Sequence, residues 1–539
     1  MDAHRCVSPT SFTVYDLKNP FSCFDFVDNN FPAFPSKPLS GGIPSARRIF
    51  SLARAFNAQT LIMENIPAKG MIATENDAIA RVYSDYHTGP LHRLSFWRKG
   101  FKTIRGLDNA EDTDLIGYAI LKRDILTTKA SRGEWHVFES VFPKYDHRHN
   151  CVPNPKSYRV LVGSKQFSVK GLLYCQQNNL NKACAHVALR SLLSRMVPEG
   201  DISYDRINKI VAEKNPGFNP GNGLSPQQMR LVFEACGVPY ADIDYEEEEK
   251  SNPNIRTDIP FQKYLYAGIE SGCGGLLGFS MSGPQADESK HIIPFFGHTF
   301  NKDTWAPDAD VAYFNIGGGV GYMPSDSWTS SFIGHDDNFG ANFCVPRLYV
   351  RPEQVQYVVE LRNNSTRYGG LIAEAQALQF LYSVGANLDP KNVWSRRLAH
   401  YSHPNVQRVI LRAICVDKKV YLRHLSEISD WEGHKELREL PRTLAKFLPR
   451  KLWVVEISLP QLFPTNERKA GEIVLNVERK RDVRKDPSRA IDYNLFLMAR
   501  LPGEYFLLNA VNQFGPSFSV VKSKVKSHVA LLRLEGAIV

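Results

Sequence analysis

The stretch Gln176-Gln177-Asn178-Asn179-Leu180-Asn181-Lys182-Ala183-Cys184-Ala185-His186-Val187-Ala188-Leu189-Arg190-Ser191-Leu192-Leu193-Ser194-Arg195-Met196 decides how this chain is read. Its second half, 183–196, is an apolar helix. Its first half is a polar approach loop, following a strand-like run at 166–174 (QFSVKGLLY). Asn181 is a good N-cap residue, which puts Cys184 in the first turn of the helix. A helix N-terminus offers free N–H groups and partial positive charge, and both favour a thiolate. The backbone N–H of such a cysteine can also help hold an oxyanion. A buried cysteine on a core helix fits this segment alone equally well, so a second element is needed.

That element is His291-Ile292-Ile293-Pro294-Phe295-Phe296-Gly297-His298-Thr299-Phe300, followed by Asn301-Lys302-Asp303-Thr304-Trp305. The run reads as a strand with His291 at its polar edge. A carboxylate at Asp303 would take the imidazole N–H and fix its tautomer, completing a nucleophile–base–orienter set. Trp305 would shield that hydrogen bond from water and mark a binding position. His298 is the rival base. It lies seven residues on, so strict alternation puts it on the opposite face of the strand. His186 follows Cys184 by two positions on the same helix, so it reads as packing.

A Gln before a helix-opening Cys, then His-x5-Gly-His, then Asp-x-Trp, resembles the papain-like cysteine peptidase superfamily over residues 165–330, about a third of the chain. The resemblance implies that Cys184 is the nucleophile, His291 the general base and Asp303 the orienter, with Gln177 completing the oxyanion hole. Asn178 and Asn179 stay open as oxyanion donors, and Asn301 and Asp308 as orienters. The implied function is hydrolysis of a peptide or isopeptide bond through an acyl-enzyme, on a protein or peptide substrate. A thiol acyltransferase (transglutaminase or deamidase) on the same residues, or a non-catalytic papain-like binding protein, are the alternatives. The implied fold class is α+β: a papain-like unit, with its Cys-bearing helix on an antiparallel sheet, flanked by an N-terminal α/β region and a strand-rich C-terminal region.

Around that unit, the expected organisation is an N-terminal α/β region (1–160), the peptidase domain (161–350), a helical connector (351–390) and a basic C-terminal domain (391–539). Helices are expected at 44–57 and 75–85, and at Ser225, where Pro226 and Gln228 complete a capping box. With 43% hydrophobic and 23% charged residues, the 539-residue chain has globular composition and room for several cores. No apolar run is long enough to span a membrane, and the N-terminus lacks the pattern of a secretory signal. Nine scattered cysteines and no Cys-x-x-Cys pair suggest reduced thiols and a cytoplasmic setting.

The net charge of +10 is concentrated in residues 391–539, which hold 27 Lys+Arg against 15 Asp+Glu. That region is a candidate surface for an acidic partner, nucleic acid or anionic membrane, although scattered basic residues also fit an ordinary solvated surface. No cofactor or metal is expected. The run Gly334-His335-Asp336-Asp337-Asn338 contains ligand-type residues but reads as a turn carrying a cap. His147-Arg148-His149-Asn150-Cys151 lacks the second half that a zinc site needs. Gly317-Gly318-Gly319 and Gly272-Cys273-Gly274-Gly275 lack the features of a phosphate loop.

Overall fold

Alternating apolar residues build the N-terminal sheet, and one amphipathic helix covers it. The computed structural model describes residues 11–33, 42–127, 132–144, 150–152, 155–178, 180, 184–198, 200–258, 260–280, 290–300, 314–315, 321–362, 366–385, 387–427, 446–463, 465–478, 493–512, 515–523 and 525–534. Strands β1 (Phe12–Asp16), β2 (Thr60–Asn65), β3 (Tyr86–Trp97), β4 (Leu115–Leu126) and β5 (Arg132–Phe142) are followed by the short β6 (Asn150–Cys151), β7 (Lys156–Val162) and β8 (Lys165–Tyr174). Seven of them form one sheet in the order β1-β2-β3-β4-β5-β8-β7, antiparallel at every pairing. Helices α1 (Cys23–Asn30), α2 (Pro44–Ala55) and α3 (Met71–Val82) belong to this unit. Pro44 opens α2, and its buried Ile49, Phe50 and Ala53 pack with Phe96, Ile116 and Trp135 of the sheet.

Two expectations change here. The N-terminal unit is antiparallel α+β rather than α/β. It also extends to Tyr174, because the 166–174 run is β8, an inner strand between β5 and β7. A boundary at 160 divides a β7–β8 hairpin whose turn holds Gly163 at φ +62°.

The central unit begins at α4 (Cys184–Leu193) and continues through α5 (Tyr204–Lys214), α6 (Pro226–Ala235), β9 (Tyr240–Asp244), α7 (Tyr245–Glu248), α8 (Ile255–Asp258), α9 (Phe261–Glu270), β10 (Gly275–Ser280) and β11 (Lys290–Phe300). The Ser225–Gln228 capping box forms as read from the sequence. Strands β12 (Phe314–Asn315) and β13 (Gly321–Pro324) follow, then β14 (Thr329–Asp336), β15 (Gly340–Pro346) and β16 (Val355–Leu361). The central sheet runs β15-β14-β11-β10-β16-β9, and β6 adds to β11. Helix α4 covers one face, with Leu189 and Leu192 against Leu276, Ile292 and Val359. Helix α9 covers the other, with Leu265 and Ile269 against Leu277, Ile293 and Val358. β16 replaces part of the expected helical connector. Its Val355, Val358 and Val359 are buried between two helical layers, where β-branched residues suit a strand.

Strands β17 (Ile410–Asp417), β18 (Lys451–Ser458), β19 (Arg468–Lys469), β20 (Gly471–Asn476), β21 (Phe496–Leu501), β22 (Glu504–Asn512), β23 (Gly515–Lys522) and β24 (Val529–Ala530) complete the chain. An eight-stranded sheet runs β12-β13-β17-β18-β20-β21-β22-β23, with β13 parallel to β17. Helix α10 (Gly370–Gly385) packs Ala377, Phe380 and Leu381 on it beside Trp453, Val455 and Phe496. Because β12 and β13 precede β14 in sequence, the central and C-terminal units are interleaved rather than strung end to end.

Three basic residues of the C-terminal region are buried in ion pairs with carboxylates. Arg412 Nη1 donates to Glu456 (2.7 Å), Lys469 Nζ to Glu456 (2.6 Å), and Arg500 Nε to Glu472 (3.2 Å), with all of these side chains buried. The runs at 479–485 and at Lys524 lie outside the described residues. No helix among the described residues is long and apolar enough to cross a membrane.

Candidate active site

Cys184 is the first residue of α4, where the helix meets the end of β8. Its sulfur is half-buried and lies against the backbone N–H groups of Ala185 and Cys184. These favour the thiolate, but burial outweighs them, and the nearby Asp337 charge adds to it, so the thiol is pushed up to about 11. The resting cysteine is therefore protonated, the reverse of what its helix position alone suggests.

His291 is the second residue of β11 and lies opposite Phe279 of β10 in the strand register, with the two rings edge to face at 5.7 Å. Its Nε2 faces two carboxylates, Asp336 Oδ2 at 3.3 Å and Asp337 Oδ1 at 3.5 Å. Burial alone would lower its pKa, but the hydrogen bond to Asp336 and both negative charges raise it. With Nε2 facing the carboxylates, Nδ1 is the other ring nitrogen.

The two carboxylates come from the turn between β14 and β15. Asp336 Oδ1 accepts the N–H groups of Asn338 (2.8 Å) and Phe339 (3.2 Å), so its second oxygen is held towards His291. Gly340 closes the turn at φ +117°, and a Cβ there would come within 2.8 Å of Arg48. Arg48 in turn donates to the Ala341 and Asn342 carbonyls (3.0 and 2.6 Å), tying α2 to the same hairpin. Neither oxygen of Asp337 holds a well-formed hydrogen bond among the described residues. Burial raises Asp337 to about 6; the facing His291 opposes that shift and Asp336 reinforces it.

Sequence reasoning missed this pair of aspartates by reading 334–338 as an ordinary turn. Two adjacent carboxylates at the end of the run 329–337 were the one local hint, and their meeting with His291 depends on the pairing of β14 with β11. The orienting contact thus comes from Asp336 among the described residues. Asp303, Asn301, Asp308 and Trp305 lie outside them, as do Asn179, Asn181 and residues 145–149.

The remaining candidates separate clearly. His298 is fully buried and its Nε2 meets Glu270 Oε1 at 2.7 Å. Glu270 is also gripped by Arg412, so this rival base belongs to an ion-pair network. His186 meets Asn208 Oδ1 at 2.7 Å and is pushed down to about 4 by burial, as suits a packed residue. Gln176 Oε1 accepts Ser45 Oγ–H (2.7 Å) and the Val137 N–H (3.0 Å), which fixes the approach loop to the N-terminal unit. Asn178 Oδ1 accepts the Leu180 N–H (3.1 Å). Gln177 is half-buried between them, and its side chain makes no hydrogen bond among the described residues.

Beside the hairpin, between the N-terminal and central units, a cavity of about 280 Å³ is lined by Arg48, Leu52, Lys144, Leu172, Phe296 and Asn342, among others. Its wall reaches the site through His335, whose ring lies 4.4 Å from Phe296 and whose Nδ1 accepts the Asn342 N–H. Comparison of the chain with models of known families, with curated proteins and with solved structures gives no match. The chemistry of the site rests on its own residues.

Proposed function

We propose that this chain is a papain-like thiol hydrolase that cleaves a peptide or isopeptide bond, with Cys184 as nucleophile, His291 as base and Asp336 as orienter. One observation carries the reading: the His291 Nε2–Asp336 contact, made next to Asp337, whose charge also reaches Cys184 at the opening of a helix. In the reaction, the Cys184 sulfur attacks the carbonyl carbon while its proton passes to His291 Nδ1. The oxyanion forms against the N–H groups at the start of α4, with Gln177 as the second donor. His291 then gives the proton to the leaving amine. Water attacks the acyl-enzyme, giving its proton to His291, and the acid and free thiol are released.

The raised thiol argues for proton transfer during attack rather than a standing thiolate–imidazolium pair. Cys184 is a free thiol, as a nucleophile requires, and so are Cys23, Cys175, Cys236, Cys273, Cys344 and Cys415. The test is turnover of a diverse fluorogenic peptide and isopeptide library, resolved by mass spectrometry. Hydrolysis that Cys184→Ser and His291→Ala each abolish supports the reading. Products joined to an added amine instead of water would reassign the chain to an acyltransferase. Activity that survives Cys184→Ser would refute the assignment.

A further inference from the structure

The carboxylates facing His291 also have the geometry of a metal centre. The Nε2–Oδ separations are 3.3 and 3.5 Å, and the three donor atoms all lie within 4.8 Å of one another. Zinc binds imidazole nitrogen and carboxylate oxygen at about 2.0–2.2 Å, which at tetrahedral angles sets neighbouring donors about 3.3–3.5 Å apart. A charge-assisted hydrogen bond would draw the same atoms to about 2.7–2.9 Å. The spacing therefore fits the edges of a coordination shell better than a tight ion pair.

A second, independent feature points to a ligand. The Asp337 side chain is 3% exposed, and neither of its oxygens holds a well-formed hydrogen bond among the described residues, with only the backbone N–H groups of Asp337 and Asn338 turned towards it. A buried carboxylate in that condition is costly, and a cation beside it removes the cost. Asp336 is braced by two backbone N–H groups, the outer support that metal-ligating carboxylates have. One nitrogen and two oxygens suit zinc or a similar transition cation. Magnesium and calcium ask for more oxygens than the site offers.

We propose that His291, Asp336 and Asp337 bind a divalent transition cation, zinc foremost, with one coordination position left open. The other buried cluster of ligand types, Glu75, Asp124 and His136, already holds a cation: Lys122 Nζ stands 3.0 Å from Asp124 and 3.5 Å from Glu75. Metal on His291 Nε2 leaves the neutral ring its proton on Nδ1, where it can no longer accept one from Cys184. Zinc is thus a reversible inhibitor of the site. That consequence rests on the thiol-hydrolase reading, whereas the binding does not.

The experiment is isothermal titration of the chelator-stripped full chain with zinc chloride near neutral pH. One site is expected, weakened about tenfold or more in Asp336→Asn and Asp337→Asn and unchanged in Glu75→Gln. Asp337→Asn is decisive because the carboxylate it removes holds no well-formed hydrogen bond, and circular dichroism checks its fold. No binding by the wild type, equal affinity in Asp337→Asn, or loss of binding in Glu75→Gln would overturn the proposal. In parallel, zinc should slow alkylation of Cys184. Binding without that slowing would overturn the inhibitory part alone. Binding in a chain whose Cys184 alkylation is unchanged by His291→Ala would keep the metal site and sink the hydrolase reading.

Discussion

His291 and Asp336, 45 residues apart in sequence, meet at 3.3 Å because β14 pairs with β11 and its terminal turn folds one carboxylate oxygen back onto the imidazole. The contact holds Nε2 of the ring against the carboxylate. Replacing Asp336 with Asn keeps an oxygen for the Asn338 and Phe339 N–H groups and removes the charge on His291. Turnover should fall by about 10²-fold or more, with KM little changed, in steady-state assays on any substrate the library yields. A variant within a factor of about two of wild type would remove Asp336 from the mechanism.

The ion-pair network between α9 and the C-terminal sheet joins two units that the sequence interleaves. Glu270 Oε2 accepts Arg412 Nε (3.0 Å) and Nη2 (2.5 Å) while Oε1 meets His298. Truncating Glu270 to Ala leaves a buried guanidinium short of one partner. The expected loss is about 3–5 kcal/mol, seen as a lower urea midpoint. A midpoint unchanged from wild type would show that the network is not load-sharing.

Acid should unfold the protein in two stages, and the signs follow from two buried groups. His186 sits at about 4 in the fold against an ordinary 6.5, so its neutral form is favoured and stability falls as pH drops from about 6.5 to 4. Burial alone would raise Glu270, but Arg412 and His298 hold it at about 2 against an ordinary 4.5. Its contribution is full above 4.5 and is lost as pH falls towards 2. Thermal melts across pH 7 to 2 should show both losses, with His186→Gln flattening the upper one alone.

Arg48 links α2 to the hairpin that carries both aspartates. Removing its two carbonyl contacts with Arg48→Ala should cost about 1–3 kcal/mol and speed amide exchange at residues 340–342. Unchanged exchange there would show that the hairpin is held by its own strands.

The helix bearing Cys184, the His291 strand and the Ser225 capping box were legible because each is signalled within one short window by periodicity or cap residues. The packing reading of His186 needed only helix geometry. The aspartates were not legible, because Asp336 and Asp337 acquire their role only through β11–β14 pairing. Nor was the thiol's protonation: Cys184 has the helix position of a thiolate, but burial and Asp337 decide otherwise, and both are tertiary facts. The same cause hid β16, since strands buried on both faces lose the alternation that reveals a half-buried one; the strand at 166–174 was legible, but its place between β5 and β7 depends on pairing.

The central claim is that His291 activates Cys184, and the rate of Cys184 alkylation tests it most directly. Chelator-treated wild type and His291→Ala should be exposed to iodoacetamide near neutral pH and followed by peptide mapping. Cys184 alkylation in the wild type should depend on its base: its rate should fall by about 10²-fold in His291→Ala while the other thiols are unaffected. Equal rates at Cys184 in the two proteins would contradict the account.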